Sequence, residues 1–540
     1  MTWEAQNPEQ AQVVATEAEL TVVLGGAGVG KTTSALAAAA AHLERVRESK
    51  PHERVLFLSF SRASVARIAS RMSAVLGSHA DRVDVMTFHS LAFSVVRRFG
   101  SLVGQADAVL VSPAREKLGL APKEIGYGRL IPLALEIARA APAVAAHLRS
   151  RWGLVIVDEF QDTGDAQQEL LELIAPSSRM ILLGDPNQCI YSAFLAADGV
   201  RVERITEACA SAGQGNTILL PETSFRDPSG VIPAVANAVR TRAFGSPAIA
   251  AASGDGRLIV KSGIDLSDEA STVAQLVTEL SAEGLGVAVF THHNDMLASL
   301  SDALEADGIE HEIAGLSDAL ASALDAQATM LRFRFGEAAW DHVLESLAVF
   351  LTSAQRGSQV PVLATQVLNG TGPQTLRQRL DALRTRLTEA SSVDVAVSEA
   401  REAHDTLGLP QKSGAWQQAG VLLSVMNARA ARVGRDLSGV QIVASICAEA
   451  REASYAALTE SALNPREVQL MNLYQTKGRE ADATVVVLRE GDFMGYETEP
   501  FPNTSRLLYV VFSRARQRII VLLVGSQWHA AVAPLARLAT

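Results

Sequence analysis

Cysteine is scarce in this sequence. Three residues, Cys189, Cys209 and Cys447, are scattered over 540 positions. They are too few for a disulfide scaffold and too far apart for a paired-cysteine metal site, so a reducing cytoplasm is expected. An excess of positive charge is also missing: 48 Lys and Arg against 59 Asp and Glu leave a net charge of -11. That excludes coating nucleic acid by bulk charge and restricts any such contact to a local groove. Apolar runs such as Ile519 to Val524 fall far short of the roughly 18 residues that cross a bilayer. No basic stretch leads into an apolar one at the start, so neither a secretory signal nor a membrane partner is expected.

What is present is a globular composition, 48% hydrophobic and 20% charged, on a length that predicts several domains. Short runs rich in β-branched residues (Leu20 to Leu24, Val55 to Leu58, Leu154 to Val157, Met180 to Leu183) alternate with helical stretches. A later series occupies Val287 to Phe290, Thr484 to Leu488 and Ile519 to Val524. Buried strands alternating with helices are the pattern of parallel sheets covered on both faces, so two α/β domains are predicted. Between Val95 and Arg151, and from about Leu331 to Pro465, the strands give way to Ala, Leu and Arg at helical spacing. Leu376, Leu380, Leu383 and Leu387 fall on one helix face. These stretches read as helical insertions.

The sharpest motif is Gly25-Gly26-Ala27-Gly28-Val29-Gly30-Lys31-Thr32, followed by Thr33, between a strand and a helix. Polyphosphate needs converging backbone N–H donors that Cβ atoms would obstruct, hence the glycines. Lys31 is expected to reach the terminal phosphates and the Thr32 hydroxyl to hold Mg²⁺. A second apolar strand, Leu154 to Val157, delivers Asp158 and Glu159 at its carboxyl end, where ligands of open α/β sheets bind. Asp158 is then placed for the metal, and Glu159 to orient and deprotonate a water attacking the terminal phosphate of a nucleoside triphosphate.

From Asp158 to Thr163 the residues resemble motif II of the UvrD/Rep/PcrA-type superfamily 1A DNA helicases, and further motifs follow in that family's order. Asn7 to Gln10 resembles the Q motif, Ser59-Phe60-Ser61 motif Ia, and Thr87-Phe88-His89-Ser90 the next DNA-contacting motif. Gly184 to Tyr191 resembles motif III, Ser224-Phe225-Arg226 motif IV, Lys477-Gly478-Arg479-Glu480 motif V, and Arg506 to Ala515 motif VI. The resemblance implies two RecA-like parallel-sheet motor domains: 1–95 with 150–222, and 223–330 with 466–540. Each carries a mainly helical insertion, at 96–149 and 331–465. It also implies that Gln10 reads adenine, Phe225 stacks on it, Glu480 contacts the ribose and Gln188 senses the terminal phosphate. Arg226 and Arg514 would be arginine fingers reaching in from the second domain.

For DNA the resemblance points to Phe60, Thr87, Phe88, His89 and Tyr191. Aromatic rings that stack on bases are worth about 1–3 kcal/mol each and tolerate any sequence, although Phe60 and Phe88 are equally the residue type that packs a core. Arg62, Arg67 and Arg71 step along the helix after Phe60, either tracking phosphates or forming a solvated face. Two places depart from the family. After Tyr191 the usual aromatic and arginine are replaced by Ser192 to Ala197, with Phe194 fitting only across an insertion and Leu195 where the arginine would follow. In motif V, Tyr474 and Arg479 stand for His and Leu. The implied activity is an ATP-dependent motor that moves 3′ to 5′ on single-stranded DNA and opens tailed duplexes. No fused nuclease is legible after Arg514, which leaves open a separate nuclease partner, as in antiviral defence, alongside a role in DNA repair.

Overall fold

The computed structural model describes residues 3–539 apart from 120, 176–177, 192–197, 202, 293, 314–316, 354–358, 411, 434–437, 460–466 and 494. Phe194 and Leu195 thus lie outside the described residues, as does the side chain of Arg62. The first sheet contains β1 (Leu20–Leu24), β2 (Arg54–Ser59), β3 (Val83–Thr87), β4 (Trp152–Val157), β5 (Arg179–Gly184) and β6 (Thr217–Leu219). All pair in parallel, in the order β3-β2-β4-β5-β1-β6.

Because successive strand residues face opposite ways, each strand feeds two cores. Leu56, Leu58, Val155 and Val157 pack against the helices Phe88–Phe99 and Leu130–Ala140. Val55, Phe57, Leu154 and Ile156 pack against Ala35, Leu36, Ala39 and Leu43 of the helix Lys31–Arg45. The first helical stretch therefore shares its core with the sheet. It also contains a short parallel pairing, Val109–Leu110 with Glu124–Ile125, too brief to leave a periodic signal in the sequence.

The second sheet holds β7 (Leu258–Ile264), β8 (Val287–Thr291), β9 (Glu312–Ile313), β10 (Val468–Asn472), β11 (Ala481–Arg489) and β12 (Ala515–Val524). It too is wholly parallel, in the order β9-β10-β8-β11-β12-β7. The chain is thus α/β with two RecA-like lobes, one built on each sheet, as the alternating pattern predicts.

Helices Ser317–Arg334, Trp340–Thr352, Gln374–Glu389, Val393–Leu407, Ser413–Val433 and Gly439–Thr459 build a separate core. The predicted leucine stripe (Leu376, Leu380, Leu383, Leu387) is buried in it. The helix Ser317–Arg334 runs through position 330, where the sequence pattern placed a boundary, and contributes Ala323, Leu324 and Leu331 to this core. Its apolar face is continuous, so packing overrides the break suggested by composition. Trp416 is fully buried here, its Nε1 donating to the carbonyls of Ala400 (3.1 Å) and Arg401 (3.0 Å) while its ring meets the Phe350 edge at 4.9 Å. Among the described residues no single helix is long and apolar enough to cross a membrane.

Removing the indole empties a fully buried site and takes a donor from the Ala400 and Arg401 carbonyls. Trp416→Ala is expected to cost about 3–5 kcal/mol, read as a drop in the midpoint of thermal unfolding with secondary structure retained at 20 °C or below.

Candidate nucleotide cleft and nucleic-acid platform

The loop Gly25 to Gly30 joins β1 to its helix, and two of its glycines sit where side chains cannot. Gly28 has φ +80°, and a Cβ there would lie 2.4 Å from Ser224 Oγ and 3.1 Å from Arg226 Cβ. Gly30 has φ +92°, and its Cβ would meet Gln10 Nε2 at 2.8 Å and the Phe225 ring at 3.4 Å. Left-handed backbone of this kind is glycine's territory. The segment Ser224 to Arg226 thus lies directly on the loop, with Phe225 N–H donating to the Gly28 carbonyl at 2.9 Å. Lys31 Nζ donates to the Gly25 and Gly26 carbonyls at 2.7 and 2.8 Å, folded back over the cradle it is expected to share with phosphate.

Strand β5 lies between β1 and β4, yet the loops beyond their carboxyl ends converge. Thr32 Oγ1 donates to Asp158 Oδ2 at 3.2 Å. A hydroxyl and one carboxylate beside a phosphate cradle suit Mg²⁺, which takes few protein ligands and completes its shell with substrate oxygens and water. Among the described residues no three His, Cys, Asp or Glu side chains gather into a cage of their own.

Glu159 follows in a left-handed conformation, φ 55°, a strained setting for a side chain that cannot choose glycine's freedom. Its Oε2 accepts from Gln161 Nε2 at 2.6 Å. The two buried carboxyls are driven apart. Burial and the neighbouring Glu159 push Asp158 up. For Glu159 the cations Lys477, Lys31 and Arg514 override burial and hold it below the usual carboxylate range. Glu159 is therefore held ionised, while Asp158 is the carboxylate whose charge a nearby cation would favour.

The cleft encloses about 480 Å³, lined by Gln10, Lys31, Thr32, Thr33, Asp158, Glu159, Gln188, Phe225, Arg226, Glu480 and Arg514. All residues predicted for the nucleotide's base, phosphates and metal line it or shape its loop. Gln10 is nearly fully buried. Its Oε1 accepts from Gln6 N–H at 2.9 Å and its Nε2 donates to the Val29 carbonyl at 3.3 Å. An amide offers two donors and two acceptor sites, so one of each remains for a base edge. Phe225 is 48% exposed, its ring turned into the cleft.

From the second lobe, Arg514 donates to Gln188 Oε1 at 2.6 Å and to the Val510 carbonyl at 3.0 Å, while Gln188 Nε2 reaches Asp185 at 2.8 Å. Burial and the nearby Arg226 lower Arg514 to about 10. Arg226 is held by Glu480 (2.7 Å) and by the Ser513 carbonyl. Glu480 also accepts from Arg67 at 3.0 Å. Here the sequence reading needs correcting. Arg67 and Arg71, expected on a nucleic-acid or solvated face, line the nucleotide cleft together with Arg516, Trp3 and Gln6. Their four-residue spacing was legible, but the face it selects depends on how the helix Arg62–Leu76 sits against the second lobe. That seating is tight: Gly478, φ +78°, is so close that a Cβ would fall 2.5 Å from Ser64 N.

Above the cleft, Phe60 and Tyr191 stack with centroids 5.0 Å apart. The Tyr191 hydroxyl donates to the Tyr474 carbonyl. This platform joins three of the residues predicted for DNA. Thr87 is buried, its Oγ1 accepting from Ser90 N–H as a helix cap. His89 stacks on Tyr127 with centroids 4.0 Å apart, and burial lowers it to about 4, leaving the ring neutral at pH 7. Phe88 is a correction: it is 2% exposed and packs in the core of the first sheet, offering no ring face to a base. Arg479 pairs with Glu312 at 2.8 Å and Gln469 at 2.9 Å, so this departure from the family pattern is an edge-strand clamp within the second lobe.

Fold and site together define a two-lobed P-loop nucleotide-binding protein of the RecA-like class. The family described as "AAA domain" matches residues 9–194. The chain is 26% identical over 393 residues to the ATP-dependent DNA helicase UvrD1 of Mycobacterium leprae, an alignment covering 57% of this chain and 50% of that protein. It is 27% identical over 390 residues to UvrD1 of Mycobacterium tuberculosis, covering 57% and 49%. It is 25% identical over 297 residues to the ATP-dependent DNA helicase PcrA of Leuconostoc citreum, covering 43% and 38%. The chain spans about half the length of the UvrD1 relatives it matches. It is a divergent relative of the UvrD/PcrA-type superfamily 1 proteins.

Two substitutions test this geometry. Gly28→Ala meets both the crowding at Ser224 and the positive φ, and is expected to weaken binding of a fluorescent ADP analogue by at least about tenfold, equivalent to about 1.4 kcal/mol. Phe60→Ala is expected to cost about 1–3 kcal/mol of single-stranded DNA affinity. Phe88→Ala is expected instead to lower unfolding stability by about 3–5 kcal/mol. Fluorescence anisotropy and thermal melts separate the two.

Proposed function

We propose that the chain is an ATP-driven motor that moves along single-stranded DNA in the 3′ to 5′ direction and displaces the strand of a tailed duplex. The observation that carries this reading is the nucleotide cleft itself. Lys31, Asp158, Glu159 and Gln188 come from one lobe, Arg226, Glu480 and Arg514 from the segments after it, and all line one cavity. A phosphate held from both sides makes the width of the gap depend on the state of the nucleotide.

Within that frame each side chain has a task. Glu159 accepts the proton of the attacking water. Lys31, Arg226 and Arg514 neutralise charge developing on the transferred phosphoryl oxygens, and a finger of this kind is worth on the order of 10³–10⁵ in rate. Gln188, bonded to Arg514, relays the presence of the terminal phosphate to the second lobe. Mg²⁺, held by Thr32 and Asp158, would add its charge to that of the cations. The Phe60–Tyr191 platform would stack bases without regard to sequence. A motor of this design fits a reducing cytoplasm. The self-stacked platform and the replaced stretch after Tyr191 support a second reading, a DNA-sensing subunit whose unwinding depends on a nuclease partner, as in antiviral defence.

The test is ATP hydrolysis with and without single-stranded DNA, combined with strand displacement on duplexes tailed at either end. The wild-type chain should be stimulated by DNA and should open 3′-tailed duplexes. Lys31→Ala and Glu159→Gln should each lower kcat by at least about 10³-fold, and EDTA should abolish turnover. Opening of 5′-tailed duplexes alone refutes the polarity, and strand displacement appearing only with a nuclease partner favours the second reading.

A further inference from the structure

A second cleft lies apart from the nucleotide site and shares no lining residue with it. It encloses about 600 Å³ between the first helical stretch and the separate helical body, which meet through Arg115, paired with Glu124 at 3.1 Å and with Glu345 at 2.5 Å. One wall is the chain at 108–112, every residue of which lines the cleft. Successive strand residues face opposite ways, so a wall of consecutive ones is a backbone edge and not a face. Val109 N–H donates to the Lys123 carbonyl at 2.8 Å and Val111 N–H to the Ile125 carbonyl at 3.1 Å. In a parallel ladder the residue between them turns its N–H and C=O the other way, and this small sheet has two strands only. Leu110 therefore offers a donor and an acceptor to the cleft.

The opposite wall is polar. Ser322, Asp325, Thr329 and Arg332 recur at three- and four-residue intervals along the helix Ser317–Arg334, so one face of it borders the cleft. Ser322 is 4% exposed, and its Oγ has no hydrogen-bond partner among the described residues; a buried hydroxyl left unpaired is costly. Two cations are also uncompensated. Arg332 donates to the Glu337 carbonyl at 3.3 Å and Arg97 lies 5.9 Å from the centroid of the Phe93 ring, neither of them paired with a carboxylate among the described residues. We propose that this cleft docks an extended acidic segment of a partner protein, which adds as a strand along the edge at Leu110 and places its carboxylates on Arg97 and Arg332. In strand addition the main-chain bonds give affinity and the flanking side-chain contacts give selectivity. Single-stranded nucleic acid is extended and anionic too, but it suits these walls less well. Glu124, Asp325 and Glu345 lie in them and repel a chain charged at every link. Phe93, at 7% exposure, offers no ring face to a base.

The probe is a short fluorescein-labelled peptide of alternating Val and Glu, titrated with the full chain to about 1 mM and read by fluorescence anisotropy. Its counterparts are the same peptide N-methylated at alternate amides, on one edge or the other, a version with Lys in place of Glu, and oligo-dT. The acidic peptide should bind, and its affinity should fall at least about tenfold when Arg97→Glu and Arg332→Glu are combined. N-methylation of the pairing edge should cost a similar factor, since it removes the donors without changing charge, and the Lys version should not bind. Hydrogen exchange should show the Leu110 amide protected by the acidic peptide. Should the double variant fail to fold, N-methylation and the exchange pattern on the wild-type chain decide. Absence of binding up to about 1 mM, equal affinity for all the N-methylated forms, or protection that leaves Leu110 unchanged overturns the proposal. Oligo-dT that binds where the peptide does not, and protects the same amide, makes the cleft a nucleic-acid groove and overturns it as well. Neither ATP turnover nor its response to DNA enters these readouts, so this proposal and the motor reading fail separately.

Discussion

The structure depends on a rule of burial: a charge withdrawn from water needs a partner. Along the gap between the lobes this rule is met almost entirely across the gap or at its edge. Arg514 is buried against Gln188, Lys477 against Asp162, and Arg67 and Arg226 against Glu480. Losing one member of such a buried pair typically costs about 3–5 kcal/mol, because the other is left uncompensated. Polar pairing therefore helps to hold the two lobes together. Each lobe has its own apolar cores, and Ile190 of the first lobe is buried in one belonging to the second.

Nucleotide binding acts on this same set of charges. Polyphosphate brings several negative charges into a cleft whose walls already carry Lys31, Arg67, Arg71, Arg226, Arg514 and Arg516. Glu480, which three arginines hold below the usual carboxylate range, is the carboxylate that phosphate would compete with. The expected contact between Glu480 and the ribose thus requires exchange among partners it already has. On the proposed function, hydrolysis and release would redistribute cations that also hold the lobes together.

How much of this could be read from the sequence varies with the length scale of the cause. Continuous apolar runs marked the central strands of both sheets, since parallel strands covered on both faces have no polar side to show, but not Val83–Thr87, Thr217–Leu219, Leu258–Ile264, Glu312–Ile313 or Val468–Asn472. The glycine loop and the Asp158–Glu159 pair were legible because their chemistry is local. Phe88 was not, because a ring at the start of a helix faces groove or core according to how that helix lies on the sheet. Arg67 and Arg71 show the same limit, their spacing naming a helix face but not the neighbour. The small pairing at Val109–Leu110 is too short for any periodicity, and the helix Ser317–Arg334 crosses a compositional change that packing ignores.

The contact between Gly478 and the start of the helix Arg62–Leu76 leaves room for no side chain at all. Backbone pressed on backbone can roll but cannot be compressed, so that spot serves as a fulcrum for any rotation that preserves it. Under such a rotation, points beside it would travel little while those farther out would sweep wider arcs.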